Sequence, residues 1–316
     1  GFGRIHLLES WRHLEKVGVA TVAPDPAVLR TVAEALAMQF QESYGLKAVE
    51  PSAVFRWLWG FVHHLRRRGA VFHPELENYA MDGNIYSFRE AAGRREWLPA
   101  IGRQTPRPIF LTLGKHPDFD RIVASPRRSW YSVWAHALLA GGGLWPPGIE
   151  DNLYRSAITA LTGAGVLRTV NSSFGDAVGI HPNALTLRTD ICPLVTSQGK
   201  HRLTIPLELE ECLLGMPCLQ APKEQYDVVT PASAWHASNF ARRDLRRVIP
   251  SEHTSLLDPK QRLAIENRFK SGEPKPWYEN LLSATPTLEM GVDIGDLSSV
   301  LLCSVPPNQA SFLQRL

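Results

Sequence analysis

The chain is poor in cysteine, with four in 316 residues. Cys192, Cys212, Cys218 and Cys303 form no CxxC pair, and no secretory segment is evident, so free thiols in a cytoplasmic protein are expected. No apolar run approaches the ~18 residues that suggest a membrane span, so no membrane partner is expected. Excess charge is also lacking. A formal net charge of +3 permits nucleic acid as a partner without marking a dedicated binding domain. No GxxxxGK[ST] sequence occurs, and the Gly141-Gly142-Gly143 triplet lacks that context, so it reads as a loop and not a phosphate cradle. Nor does an Asp-Glu dipeptide occur anywhere that could begin a Walker B motif. The chain starts at Gly1 instead of Met, which fits a fragment. With 44% hydrophobic and 21% charged residues it is ordinary globular material, long enough for two or three compact units.

Residues 1–46 read as a helical segment. Asp25 followed by Pro26 is a good N-cap and first-turn pair, Val28, Val32, Leu36 and Phe40 fall near helical spacing, and Gly45 ends the run. A second helix runs from about Ser52 to Arg68, with Val54, Leu58, Phe61 and Leu65 on one face. Arg66-Arg67-Arg68 closes its last turn, where cations suit the helix dipole, and Gly69 supplies the stop. Those arginines read either as a solvated helix end or as phosphate contacts. Residues 74–127 read as irregular, with one short strand near Ile109 to Leu113.

Residues 128–190 are more regular. Trp130 to Leu139 reads as a helix, and Asp151 or Asn152 caps another whose apolar positions are Leu153, Ala157, Ile158 and Leu161. Val166 to Val170 reads as a strand, 171–176 as a polar turn and Leu185 to Leu187 as the returning strand. Helix, helix, hairpin is the order of a winged helix-turn-helix. Its later helix offers only Arg155 as an obvious basic contact, so scaffold and readout roles both stand. In residues 190–230, Cys192 and Cys218 flank a strand-like run from His201 to Ile205. The layout resembles a zinc ribbon with two of its four thiolates gone. Structural zinc needs four ligands, and the spacing of His201 and Cys212 completes no known pattern, so no metal is expected.

Residues 240–316 return to regular alternation. Arg247 to Pro250 reads as a strand end and Ser251 to Ser255 as a loop. Asp258 caps a helix with Pro259 at its first position, then come a strand at 281–284, a turn, and a strand at 299–305. Strand, helix, strand suits a parallel βαβ unit. The 281–284 run is uninterrupted and apolar in character, as befits a strand buried on both faces. Thr285 and Thr287 follow it, where ligands of open α/β sheets gather, and their hydroxyls suit a phosphodiester. Gly291 allows close backbone approach, and Asp293 can accept hydrogen bonds from a ribose hydroxyl.

The stretch from Leu281 to Leu316, with Ser283-Ala284-Thr285-Pro286-Thr287 and Gly291-Val292-Asp293-Ile294-Gly295-Asp296, resembles motif V of the superfamily 2 helicases. Gln314-Arg315 resembles the first two residues of motif VI, whose later arginines do not follow within the chain. The stretch from Arg246 to Pro307 is similar to large bacterial DEAD/DEAH-box helicases whose second RecA-like lobe carries a winged-helix and zinc-ribbon insertion. That resemblance implies that Thr285 and Thr287 meet nucleic acid, while Gly291, Asp293, Gln314 and Arg315 face ATP. Glu252-His253-Thr254-Ser255 resembles a histidine-glycine-serine loop of such proteins, which implies phosphate contacts at His253, Thr254 and Ser255. Thr254 stands where that loop usually has glycine.

The expected fold is therefore mixed α/β and α+β in several domains. A helical segment spans 1–46, a winged-helix-like inserted domain 47–190, a degenerate zinc-ribbon-like segment 191–235, and a partial second RecA-like parallel α/β lobe 236–316. The implied function is an ATP-dependent nucleic-acid helicase or translocase, using ATP and Mg²⁺ in the intact protein, with DNA or RNA backbone and a first RecA-like lobe as partners. Without a P-loop lysine and its Ser/Thr nothing holds Mg²⁺ and the β- and γ-phosphates. No catalytic residue, no cofactor and no ATPase activity are thus expected of this piece alone. The competing reading is a non-enzymatic winged-helix adaptor that binds nucleic acid or protein.

Overall fold

The structure, a computed structural model, describes residues 15, 18–46, 49–88, 107–122, 129–141, 145–230, 248–254, 256–275, 277–284, 299 and 301. The chain divides into two compact units, Gly1–Arg242 and Arg243–Leu316. Several small sheets and the helices around them make the architecture mixed α and β.

In the first unit the described strands and longer helices are β1 (Thr21–Pro24), α1 (Pro26–Tyr44), α2 (Pro51–Arg68), β2 (Leu111–Thr112), β3 (Asp120–Arg121), α3 (Trp130–Leu139), α4 (Ile149–Gly163), β4 (Leu167–Val170), β5 (Ala177–Ile180), β6 (Leu185–Arg188), β7 (Ile191–Thr196), β8 (Arg202–Pro206) and β9 (Tyr226–Val229). Local rules place α1 and α2. Asp25 caps α1 by accepting the Ala27 N–H, and Gly45 ends it in the left-handed region. Pro51 opens α2 and Gly69 closes it, with Arg66, Arg67 and Arg68 in the last turn.

The four-stranded sheet runs β3-β2-β5-β4. β5 pairs antiparallel with both β2 and β4. With the helices in order, α2, β2, α3, α4, β4 and β5 form one layer of helix and one of sheet around a shared core. A separate sheet, β8-β7-β9, is antiparallel throughout. One buried apolar cluster runs from Ala23 to Tyr226. Described residues from the segments expected at 1–46, 47–190 and 191–235 all contribute to this cluster.

That core is held by aromatic residues that also carry polar ties. Trp57 on α2 donates to the Tyr154 hydroxyl at 3.2 Å, and Tyr154 on α4 donates to the Tyr131 carbonyl at 2.9 Å. Trp134 on α3 donates back to the Trp57 carbonyl at 3.0 Å. Each buried N–H and O–H of this triad thus has a partner, and three helices are fixed to one another by direction as well as by area.

Several expectations are corrected here. The helix at 149–163 is not capped by Asp151 or Asn152. It starts at Ile149 behind Gly148, leaving Glu150 and Asp151 in the first turn, where acidic side chains suit the dipole. The strand returning from β4 is β5, not Leu185 to Leu187. Gly175, at a φ of 107°, turns the chain early, where its backbone packs on Gly114, and Ala177–Ile180 is buried at every position. Leu185–Arg188 instead pairs antiparallel with β1, so part of the expected helical segment 1–46 is strand.

In the second unit β10 (Pro250–His253), α5 (Pro259–Phe269) and β11 (Leu281–Ala284) make a βαβ crossover with the strands parallel. Residues 251–253 are thus strand where a loop is expected. Asp258 caps α5 by accepting the Lys260 N–H at 2.9 Å, as its position before Pro259 implies. β11 occupies the expected residues but is exposed at three of its four positions. The parallel sheet has two strands among the described residues, so one helix and one neighbour leave most of β11 uncovered. The strand expected at 299–305, apart from residues 299 and 301, lies outside the described residues.

Candidate nucleic-acid interface

Parallel pairing sets the geometry of the second unit. The register runs Pro250 to Leu281, Ser251 to Leu282, Glu252 to Ser283 and His253 to Ala284. The last residues of both strands therefore stand side by side. Thr254 follows one and Thr285 follows the other in sequence, so the two expected phosphate loops leave adjacent positions at the carboxyl edge of one sheet. The start of the pair is clamped as well, since the Asn280 carboxamide oxygen accepts the Ile249 N–H at 2.7 Å.

His253 departs from expectation. It is expected at the nucleic-acid surface, but its residue is 1% exposed and its ring is turned inward. Nε2 lies 2.6 Å from Glu266 Oε1 on α5, and Nδ1 is buried without a partner. A ring so enclosed cannot reach an external phosphate. Thr254, half-buried, accepts the Leu257 N–H on its carbonyl at 3.2 Å and closes a turn. Ser255, Thr285, Thr287, Gly291, Asp293, Gln314 and Arg315 lie outside the described residues. Sequence reading missed Glu266, Asn280 and the pair of Arg268 with Glu279, bidentate at 2.8 and 2.7 Å. Burial of Glu279 is outweighed by Arg268, whose hydrogen bonds hold its carboxyl below the usual range.

The first unit spends most of its candidate cations internally. Arg68 grips Asp120 through both nitrogens at 2.8 and 2.6 Å, and Arg66 pairs with Glu15. This favours the structural reading of that helix end over phosphate contact. On α4, Arg155 is engaged by Asp151 at 2.6 Å, an exposed pair one helical turn away. Beside it a cleft of about 340 Å³ opens between α1 and α4, lined by Gln39, Tyr44, Asn152, Arg155, Ser156 and Thr159 among others. Gln39 and Tyr44 reach the Ser156 hydroxyl at 3.4 and 3.2 Å, so α1 flanks α4 at one wall of this cleft, while Asn152, Arg155 and Thr159 of α4 remain exposed.

Two of the cysteines sit inside packing. Cys192 and Cys218 are buried and free. Burial first, then the hydrogen bond and charge of Glu210, pushes the Cys192 thiol up to about 12. The Cys218 thiol donates to Gln220 at 3.3 Å. Among the described residues no group of three or more His, Cys, Asp or Glu is placed to hold a metal.

Residues 222–316 match the helicase conserved C-terminal domain family. This range contains β10, α5 and β11. Over 158 residues the chain is 28% identical to the Druantia protein DruE of Escherichia coli (strain UMEA 4076-1), covering 42% of the chain and 8% of that protein. Over 108 residues it is 34% identical to the dipeptide transport system permease protein DppB of Alkalihalophilus pseudofirmus, covering 33% of the chain and 31% of that protein. The chain thus spans less than a third of either relative. No helix among the described residues is long and apolar enough to cross a membrane. No solved structure matches the chain.

Proposed function

We propose that this chain is part of an ATP-dependent nucleic-acid helicase or translocase, and that 236–316 is part of its second RecA-like lobe. The observation that carries the reading is the register of β10 and β11, which ends both strands at one edge inside the range that matches the helicase C-terminal domain. Thr254 and Ser255 after one strand, and Thr285 and Thr287 after the other, hold a phosphodiester with hydroxyls and backbone N–H groups. Gly291 and Asp293 lie further along the second loop and face the nucleotide, with Gln314 and Arg315 opening motif VI. One loop in contact with both nucleic acid and nucleotide is how hydrolysis couples to movement. The chain's own residues do not fit Mg²⁺ and the β- and γ-phosphates, because the P-loop lysine and its Ser/Thr are absent from its sequence. ATP and Mg²⁺ are therefore held together with another RecA-like lobe, which is this chain's partner.

The first unit carries the helix, strand, helix, helix, hairpin order of a winged helix-turn-helix, with α4 in the place of the groove-reading helix. We read it as an accessory domain. The major groove, ~12 Å wide, admits one α-helix, and packed helices stand ~8–10 Å apart. With α1 beside it, and with Arg155 on its exposed face already paired with Asp151, α4 is poorly placed to read a duplex groove. Nor do the hydroxyls and scattered cations of the second unit carry a base code.

A fluorescein-labelled single strand titrated with the chain tests this by anisotropy. Roughly three phosphate contacts give a log–log salt slope of about −2, or a loss of about 20-fold between ~50 and ~200 mM salt. Affinity should be equal for scrambled sequences and weaker for Thr285→Ala at an unchanged thermal midpoint. The chain alone should release no phosphate from ATP. Sequence-selective binding, binding indifferent to salt, or ATP hydrolysis by the isolated chain overturns the reading.

A further inference from the structure

We infer that His253 is a positioning residue: through Glu266 it fixes the end of β10 on α5 and so sets where Thr254 stands. The inference rests on the nucleic-acid reading of that edge only for what Thr254 then touches. Three observations carry it. First, α5 has little apolar grip on the sheet. Ile265 is its one buried residue among eleven, so the helix is not located by a broad hydrophobic stripe. Second, His253 and Glu266 meet at 2.6 Å with the ring almost fully buried. Third, both ends of the following turn are tied: His253 to Glu266 before it, and Asp258 to the Lys260 N–H after it, with Leu257 closing on Thr254 between them.

Burying this polar pair is not the cheapest way to attach a helix. Replacing a buried polar or ionic pair by apolar residues of similar size is often neutral or stabilising. What the pair adds is direction. A hydrogen bond fixes distance and angle, while an apolar contact allows sliding. A carboxylate can only accept, so Nε2 donates to Glu266 and the bond has one direction. In register with Ala284, His253 fixes the turn beside the residue that precedes Thr285, and so sets the spacing of the two loops.

The test uses the whole chain in three versions: wild type, His253→Leu and His253→Gln. Leu keeps the apolar volume and removes the hydrogen bond, whereas Gln restores a donor aimed at Glu266. Hydrogen exchange is read on the peptide spanning about 250–260, without nucleic acid, and single-strand affinity is read separately. We expect exchange at the turn to rise about tenfold in His253→Leu with exchange in the first unit unchanged, affinity to fall by a similar factor, and His253→Gln to restore both. Glu266→Met removes the partner from a half-buried helix position and should loosen the same turn, which keeps the test alive if His253→Leu fails to fold. Unchanged exchange in His253→Leu, or in Glu266→Met where the former does not fold, overturns the positioning role. Faster exchange with unchanged affinity, or a wild type that binds no single strand, supports the positioning role and overturns the nucleic-acid reading of the edge.

Discussion

Gly60 shows how tightly single residues of the first unit are constrained. Glycine inside a helix costs ~1 kcal/mol relative to alanine, yet Gly60 sits in the middle of α2. The reason is Trp134, since a Cβ at position 60 would fall 2.0 Å from its ring carbon Cζ2. That ring also donates to the Trp57 carbonyl, so it cannot retreat without losing a buried hydrogen bond. Gly60→Ala therefore overpacks the α2–α3 contact. The expected net cost is about 1–3 kcal/mol, a fall of several degrees in the thermal midpoint at ~2–4 °C per kcal/mol. Circular dichroism melts of the two proteins check it. A midpoint equal to or above wild type shows that the ring has room to move. The same residue scale separates Thr254 from His253 in the second unit. Neighbours in sequence, they differ in burial at a strand's end: Thr254 is half-buried, while His253 is turned into the seam with α5.

Elements were legible in the sequence where a local rule sufficed. Asp25-Pro26 and Gly45 bound α1, Gly69 stops α2, Trp130 to Leu139 is α3, Asp258-Pro259 starts α5, and Leu281–Ala284 is a strand. What escaped was partner choice across long separations. Nothing near Arg68 points to Asp120, nothing near β1 points to β6, and nothing near His253 points to Glu266. The end of α2 turns that hidden pairing into a pH response. His63 is held well below its usual range by burial first, and then by Arg66, Arg67 and His64. His64, stacked on Trp130 at 3.7 Å, is lowered by burial against the opposing pull of Asp120. Because both folded values lie below the unfolded value of ~6.5, the unfolded chain takes up protons first as the pH falls. Their contribution is full above that value and is lost as pH drops from it through the folded values. Burial pushes Asp120 up, but nearby His64 and the hydrogen bonds of Arg68 outweigh it and hold it low, so its contribution is lost in a more acidic range. The thermal midpoint of the first unit should therefore decline between about pH 7 and pH 5, before carboxylates titrate, and His63→Gln should flatten that decline. A midpoint constant over that range contradicts burial of neutral histidines at this helix end.

At the scale of the molecule the described residues of the two units differ in how many apolar side chains they bury. The buried cluster from Ala23 to Tyr226 lies within Gly1–Arg242. Among the described residues of the second unit Leu256 is 94%, Leu263 56% and Leu281 52% exposed. Among the described residues of this unit Ile265 is the one buried apolar side chain, which gives little area to offset the entropy of ordering their backbone, ~1–2 kcal/mol per residue. The sequence pointed to a buried strand at 281–284 because its residues suit a parallel sheet. Whether they are covered depends on how many strands flank them, which the strand's own sequence does not encode. The consequence is an asymmetry in autonomy. Residues 1–242 produced alone should melt cooperatively at the midpoint the first unit shows in the full chain. Residues 243–316 produced alone should bind a hydrophobic dye and show no cooperative transition, because exposed apolar surface of this kind marks an interface in search of its neighbour. Circular dichroism and dye fluorescence on the two pieces, each against the full chain, check both halves. A cooperative melt from 243–316 alone shows that β10, α5 and β11 close a core without help, and the lobe is then a self-sufficient domain.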